Sequence, residues 1–204
     1  MFGTPEQYYD KNALSYDAEF ADSVYWRLYE DITWDNIQRF LVPKSLILDA
    51  GGGTGRWALR LARLGHQVVM TDISQKMLHV AKTKVSEAHL QDSVEFHRLD
   101  ICNMRMLEDN SFDVAMAQGD PVSYCTDAKQ ALLELTRVTK PDGHVIISVD
   151  NAIALIHRPL SQGNFEAVEE ALRTKQGMVR NLQGSVEFSF RAFDPQELLE
   201  LLEA

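Results

Sequence analysis

The sequence predicts a doubly wound α/β fold, a mainly parallel sheet with helices packed on both faces. Three observations carry that expectation. From residue 45 onward, short apolar runs alternate with amphipathic stretches; a glycine-rich turn follows directly on the first run; and aspartates close the first runs at the same end. Strands that alternate with helices pair in parallel through right-handed crossovers, because each helix returns the chain to the starting end of the sheet.

The elements follow in order. An aromatic-rich stretch comes first, with Tyr8, Tyr9, Tyr16, Phe20, Tyr25, Trp26, Tyr29 and Trp34. Leu28 and Ile32 share a helical face there, and Ile37, Phe40 and Leu41 continue the apolar content, so residues 1–44 read as a helical lid. Ser45–Asp49 (SLILD) is a buried strand. Gly55–Leu64 carries Ala58, Leu61, Ala62 and Leu64 at helical spacing, and Gly65 stops that helix. Gln67–Thr71 is the second strand, and Ser74 caps a helix whose inward stripe is Met77, Leu78, Ala81 and Val85. Val94–Leu99 and Phe112–Ala117 are the third and fourth strands. Asp127 caps a helix bearing Ala131, Leu132, Leu135 and Val138. The turn Pro141-Asp142-Gly143 then leads into a fifth strand, His144–Val149. Further on, Asn164–Lys175 reads as a helix and Val186–Phe193 as a strand. Asp194-Pro195-Gln196-Glu197 holds the cap, N1 proline and capping-box acid of a last helix. No repeat or linker divides the chain. It reads as one domain, 1–204, with a core at 45–150, an insertion at 151–193 and a final helix at 194–204.

Composition narrows the function classes. The chain has 204 residues, 45% hydrophobic and 25% charged, enough apolar content to offset its ordering entropy by burial. Eleven Gly and 6 Pro exclude a collagenous or low-complexity chain. Thirty acids against 20 bases give a net charge of −10, which argues against nucleic acid as a partner while leaving room for a small, locally basic RNA site. Cys102 and Cys125 form no CxxC pair and no disulfide framework. His66, His79, His89, His97, His144 and His157 are scattered, so no metal site is expected. The N-terminus has neither a basic nor an apolar signal region, and no apolar run approaches the ~20 residues that span a bilayer. A cytoplasmic protein with no membrane partner is expected, and a homo-oligomer is left open.

The chemistry concentrates at Ile47–Arg56, ILDAGGGTGR, where a strand ends and a helix begins around glycines spaced GxGxG. Such a turn exposes backbone N–H groups at a positive helix end and lets a ligand approach without Cβ interference. A P-loop would need Gly-Lys-Ser/Thr, but Arg56 and Trp57 follow Gly55. A dinucleotide fingerprint would need a third glycine where Arg56 stands. Asp49, Gly51, Gly53 and Gly55 instead resemble motif I of the class I S-adenosylmethionine-dependent methyltransferases, in their UbiE/type-11-like small-molecule branch.

The resemblance continues in the family's order. Asp72, closing the second strand, corresponds to the acid that binds the ribose hydroxyls, with Ile73 on an adenine face and Met77 in the helix beyond. Asp100-Ile101 corresponds to the pair that meets the adenine amine and ring. Gln118-Gly119 lies where the family's loop runs beneath the sulfonium and amino-acid moiety, and Tyr16 matches the tyrosine that covers the methionine portion. The resemblance thus implies a Rossmann-like methyltransferase sheet, S-adenosyl-L-methionine as cofactor, and in-line methyl transfer. Plainer readings stand beside these: Asp72 as a cap for the helix near Ser74, Asp100 as a turn residue, and Trp26, Tyr29 and Trp34 as packing. All the acids nevertheless fall at carboxyl ends of strands, where α/β sheets bind ligands.

On the acceptor side, Asp120 and Tyr124 are the expected catalytic or substrate-contacting residues, with Asp150 and Asn151 as further candidates and a helix cap as the plainer role of Asn151. A small molecule is the default acceptor, with protein and RNA open. A non-catalytic cofactor-binding regulator would share every cofactor residue. A nucleotide oxidoreductase would share Asp72 but must tolerate Arg56. The family's sheet ends in an antiparallel hairpin after the helix that here starts at Asp194. A sheet with an unpaired edge or a shortened chain is therefore expected, Val186–Phe193 being the only spare strand. The segment Phe2–Phe20 has few aliphatic anchors and is expected to order only when the cofactor binds.

Overall fold

The computed structural model describes residues 3–180 and 185–203, apart from the side chains of Phe20 and Val186. Phe2, residues 181–184 and Ala204, parts of the expected lid, insertion and last helix, lie outside the described residues.

Three helices precede the sheet: α1 (Pro5–Asn12), α2 (Tyr16–Phe20) and α3 (Val24–Gln38). Thr4 and Gln7 close a capping box on α1, and Pro5 occupies its first position. Ser23 Oγ caps α3 by accepting from the Trp26 N–H. These helices lie at the periphery: α1 buries no residue fully and α3 only Thr33 and Ile37.

The core alternates strands and helices as the hydrophobic pattern requires. β1 (Leu46–Ala50) leads to α4 (Arg56–Arg63), β2 (Gln67–Asp72) to α5 (Gln75–Glu87), and β3 (Val94–Arg98) follows; β4 (Phe112–Ala117) leads through α6 (Pro121–Tyr124) and α7 (Ala128–Val138) to β5 (Thr139–Ile147). The sheet order is β3-β2-β1-β4-β5 and every pair is parallel. The chain grows outward from β1 first one way and then the other. The loops after β1 and β4 therefore diverge and open a crevice at the carboxyl edge.

Period-2 alternation assigns each strand residue to one of two cores. Ile47, Val68, Met70, Val114 and Met116 pack with Ala58, Leu61, Leu78, Ala81 and Val85 of α4 and α5. Leu48, Ala50, Val69, Ala115 and Ala117 pack with Val122 of α6 and Ala131, Leu135 and Val138 of α7. Full burial of each Val, Leu, Ile or Met among these contributes roughly 1.5–3 kcal/mol.

Four expectations need correction. Pro141-Asp142-Gly143 is not a turn ahead of the last strand but lies within β5: Phe112 pairs with Thr139 and Val114 with His144, so the extra residues bulge outward. Gly143 is required there, since a Cβ would sit 2.8 Å from the Asp113 carbonyl oxygen. Ser148 and Val149 lie beyond the strand. The insertion holds α8 (Ala152–Ser161) and β6 (Gln176–Arg180), neither anticipated, besides α9 (Phe165–Thr174). Pro159 disguises α8 as a breaker, but it lies in the last turn and Asn151 supplies the N-cap. Finally, β7 (Val186–Arg191) does not extend the main sheet. It pairs antiparallel with β6 in a separate two-stranded sheet, with the Phe190 ring laid over Gly177, whose missing side chain makes the room. Among the described residues no strand pairs with the outer edge of β5, where the Phe40 ring packs tilted against His144. α10 (Pro195–Glu203) starts as expected, the Asp194 carboxylate accepting from the Glu197 N–H at 2.8 Å. No helix among the described residues is long and apolar enough to cross a membrane.

Candidate active site

The glycine loop after β1 is held from below. The N–H groups of Gly51 and Gly52 both donate to the Thr71 carbonyl, at 2.8 and 3.0 Å. The Gly53 N–H donates to Asp72 Oδ2 at 2.8 Å, and Asp72 Oδ1 accepts from the Ser74 N–H at 2.8 Å. Asp72 thereby ties the first loop to the second, and burial pushes its carboxyl up to about 6. The glycines do different things. A Cβ on Gly51 would collide with Pro121 at 2.6 Å, and one on Gly55 with Ala81 at 2.9 Å, so these two permit close packing of α6 and of α4 on α5. Gly53 has φ of +59° and nothing within 4 Å of where its Cβ would lie. Its vacant side faces a cavity.

That cavity, of about 370 Å³, runs along the carboxyl edge of the sheet. It is lined by Tyr16, Gly51, Gly53, Asp72, Ile73, Met77, Asp100, Ile101, Gln118, Gly119, Asp120 and Tyr124, all expected site residues. Asp49 and Gly55 are not on its wall. Asp49 shares the sheet face of Ile47, so its carboxylate lies under the loop at 0% exposure; the Ala58 N–H approaches, but neither oxygen has a partner at hydrogen-bonding geometry. Burial, followed by that amide and the Asp72 charge, leaves its carboxyl at about 7.

Several wall residues were not foreseen: Thr4, Pro5 and Glu6 from the lid, Trp26 and Tyr29 from α3, Thr54 and Trp57 from the loop and α4, and Leu99, Cys125 and Thr126. Trp26 and Tyr29 correct the packing reading. They lie three apart on α3, their rings edge-to-face at 5.2 Å, a spacing that could have marked a shared face. Trp34 does pack, stacked on Trp57 and covered by the Arg60 guanidinium.

The lid is tied down by charge. The Ser74 hydroxyl donates to Asp10 at 2.6 Å, the Thr54 hydroxyl to Asp17 at 2.7 Å, Lys84 pairs with Asp17, and Arg98 pairs with Glu6. Burial raises Tyr16 to about 12 and Tyr9 well above its usual value.

At the far end, Gly119 and Asp120 both have positive φ, +83° and +67°, directly before Pro121. An aspartate in that conformation is uncommon, and Ser148 holds it, accepting from both N–H groups at 2.9 and 3.1 Å. Gln118 is fixed by donating to the Ile146 carbonyl at 2.9 Å. Burial raises the carboxyl of Asp120; burial together with the Asp120 charge raises that of Asp150 to about 6. Asp150 faces the Tyr124 hydroxyl, and its Oδ2 is buried without a partner. Asn151 has the plainer role, its side chain accepting from the Ile153 N–H at 2.8 Å. Phe188, itself buried, packs on Tyr8, Tyr9 and Tyr124, and Phe190 on Tyr124, so the β6–β7 hairpin roofs this end. Cys102 and Cys125 are free and adjacent, and the Cys125 contact lowers the Cys102 thiol to about 7. Among the described residues no group of three His, Cys, Asp or Glu side chains could hold a metal.

Residues 47–143 match a family model described as a methyltransferase domain. The chain belongs to the class I S-adenosylmethionine-dependent methyltransferases. This methyltransferase chain is similar to the tRNA 5-carboxymethoxyuridine methyltransferase of Escherichia coli K12, 26% identical over 175 residues covering 82% of this chain and 67% of that protein. It is also similar to the malonyl-[acyl-carrier protein] O-methyltransferase of Buchnera aphidicola, 36% identical over 141 residues, 69% of this chain and 51% of that one. The chain thus spans between one half and two thirds of these relatives' length. Its fold matches a S-adenosylmethionine-dependent methyltransferase of Methanosarcina mazei with a TM-score of 0.67 at 24% identity, covering 82% and 81% of the two chains. S-adenosyl-L-methionine is the cofactor of the family, and the open side of Gly53 beside the Asp72 carboxylate leaves a cradle that fits it.

Proposed function

We propose that this chain transfers a methyl group from S-adenosylmethionine to a small-molecule acceptor bound between Asp120, Tyr124 and the aromatic lid. The observation that carries the reading is the Gly53–Asp72 cradle opening into the same cavity as Asp120 and Tyr124. Asp72 holds the ribose with its remaining lone pairs, Ile73, Met77 and Ile101 sandwich the adenine, and Asp100 receives the adenine amine. When bound, the cofactor supplies a methyl carbon already activated by positive sulfur, so the protein's task is orientation and exclusion of water. Tyr16 and Tyr9 cover the sulfonium region, where an aromatic face contributes ~0.5–2 kcal/mol of cation–π attraction. Asp120 and Tyr124 present the acceptor, and the Asp120 carboxylate receives its proton.

A small acceptor is supported by the limited cavity, roofed by α1 and the β6–β7 hairpin, and by the net charge of −10. The test is an acceptor screen read by S-adenosylhomocysteine release and product mass, with parallel calorimetric titration of S-adenosylhomocysteine and NADH. Methylation of small molecules supports the reading. Turnover confined to RNA or protein overturns the acceptor class, and binding without turnover across the screen identifies a cofactor-binding regulator. Preference for NADH overturns the whole assignment.

A further inference from the structure

We infer that the acceptor is an amine, bound as an ammonium ion at Asp120 and methylated on nitrogen. This rests on the methyl-transfer reading above and adds the chemical class of the substrate.

The charge distribution of the acceptor end points there. Among the described residues lining the cavity, Arg56 is the sole cation, and it is already paired with Glu30. An acceptor carboxylate would find no free basic side chain and would lie against Asp120, a like-charge repulsion. The carboxylates have the opposite deficit. Asp120 has Ser148 beside it and no basic partner, and Asp150, behind Tyr124, has a buried Oδ2 with no partner at all. Each carboxyl is raised by burial, and Asp150 further by the charge of Asp120. A bound ammonium supplies that missing charge.

The walls agree. Tyr124, Tyr9, Tyr29 and Trp26 surround this end with rings, surfaces that attract a cation and repel an anion. Asp120 is also held in a costly backbone conformation before Pro121, with Ser148 fixing both adjoining N–H groups. That expense aims one carboxylate, a strain typical of functional positions.

The chemistry closes on the same groups. The ammonium N–H bond breaks and its proton passes to the Asp120 carboxylate. The freed nitrogen lone pair forms the N–C bond as the methyl carbon's bond to sulfur breaks, with that electron pair remaining on sulfur. The products are the N-methylammonium ion, formed directly by that attack, and the neutral thioether; Asp120 then releases its proton to solvent.

Three probes of matched shape test the inference on the S-adenosylhomocysteine complex: 2-phenylethylamine, 2-phenylethanol and 3-phenylpropionate, titrated calorimetrically at pH 7.5. The amine should bind at least about tenfold tighter than either other probe, as expected for a charge-assisted contact. Asp120→Asn keeps the same backbone preference, since asparagine tolerates positive φ. It should erase the amine's advantage while leaving S-adenosylhomocysteine affinity unchanged. With S-adenosylmethionine present, product mass should place the methyl on the amine. Equal or tighter binding of the alcohol or acid, absence of amine binding, or an amine preference that survives Asp120→Asn overturns the inference. So does loss of S-adenosylhomocysteine affinity in that variant, which would assign Asp120 to the cofactor. Failure of the unaltered protein to bind S-adenosylhomocysteine would instead sink the methyl-transfer reading.

Discussion

At the Gly53–Asp72 end of the cavity, the walls come from loops that directly follow β1, β2 and β3, and backbone amides do the holding: Gly53 and Ser74 donate to the two oxygens of Asp72. At the other end, the walls come from Asp120 and Tyr124 after β4 and from Trp26 and Tyr29 on α3, with Phe188 and Phe190 of a distant hairpin packed on Tyr124. Side chains do the holding there, ring against ring. A backbone-built site is rigid and intolerant of change, because moving one amide moves the strand behind it. A site built from side chains on several elements can be retuned one residue at a time, as relatives with different acceptors in their names require.

The sharpest way to break this contrast is Gly53→Val. A β-branched residue at φ +59° is strained by on the order of 1–3 kcal/mol and fills the open cradle, so S-adenosylhomocysteine binding should vanish while circular dichroism shows a folded chain. Normal binding would show that the loop is not the cradle. Asp72→Ala comes next. It strips a charged acceptor from two amides and from the ribose, at ~1.5–3 kcal/mol per charge-assisted bond, and should weaken calorimetric affinity roughly a hundredfold or more. Unchanged affinity in a folded variant would overturn the ribose role.

Asp49 separates support from contact. Its folded carboxyl titrates at about 7, above the ordinary 3.8, so the native state holds the proton more tightly than the unfolded chain. The stabilisation is therefore complete below about pH 4 and is lost as pH rises toward 7. Asp49→Asn should flatten the fall in melting temperature between pH 5 and 8 and stabilise the protein at pH 8 by up to a few kcal/mol, with cofactor affinity held within a few-fold. Parallel pH curves would show that this carboxyl does not titrate there.

A smaller effect is expected at the lid. Asp10→Ala removes the contacts to Ser74 and Lys76, each worth about 0.5–1.5 kcal/mol, and should weaken cofactor binding several-fold. Hydrogen exchange over residues 3–20 should slow when S-adenosylhomocysteine binds; equal protection in both states would make this a fixed structural helix. The least effect on the site belongs to Asn151→Ala. Loss of the α8 cap should lower thermal stability by about 1 kcal/mol and leave cofactor affinity untouched. A change in affinity would join that cap to the site.

The difference between the two ends also sets what was legible in advance. Asp72 could be placed from its strand end; its carboxylate meets the Ser74 amide at the helix start and the Gly53 amide in the loop, while Ser74 itself is the cap. Asp49 lies beneath the loop and off the cavity wall, on the sheet face it shares with Ile47 by the two-residue alternation of a strand. Trp26 and Tyr29 were legible only as aromatic residues on a helix.

Local periodicity and chain order determined the sheet, its helices and the succession of loops at its carboxyl edge, since turn glycines, caps and apolar spacing act within a few residues. Only the tertiary structure decided that β7 leaves the main sheet to pair with β6, that its phenylalanines roof Tyr124, and that Asp150 comes to lie behind that tyrosine. Such contacts join segments far apart in the chain. They follow from how the layers pack and which charges remain uncompensated, and short-range sequence patterns do not encode that geometry.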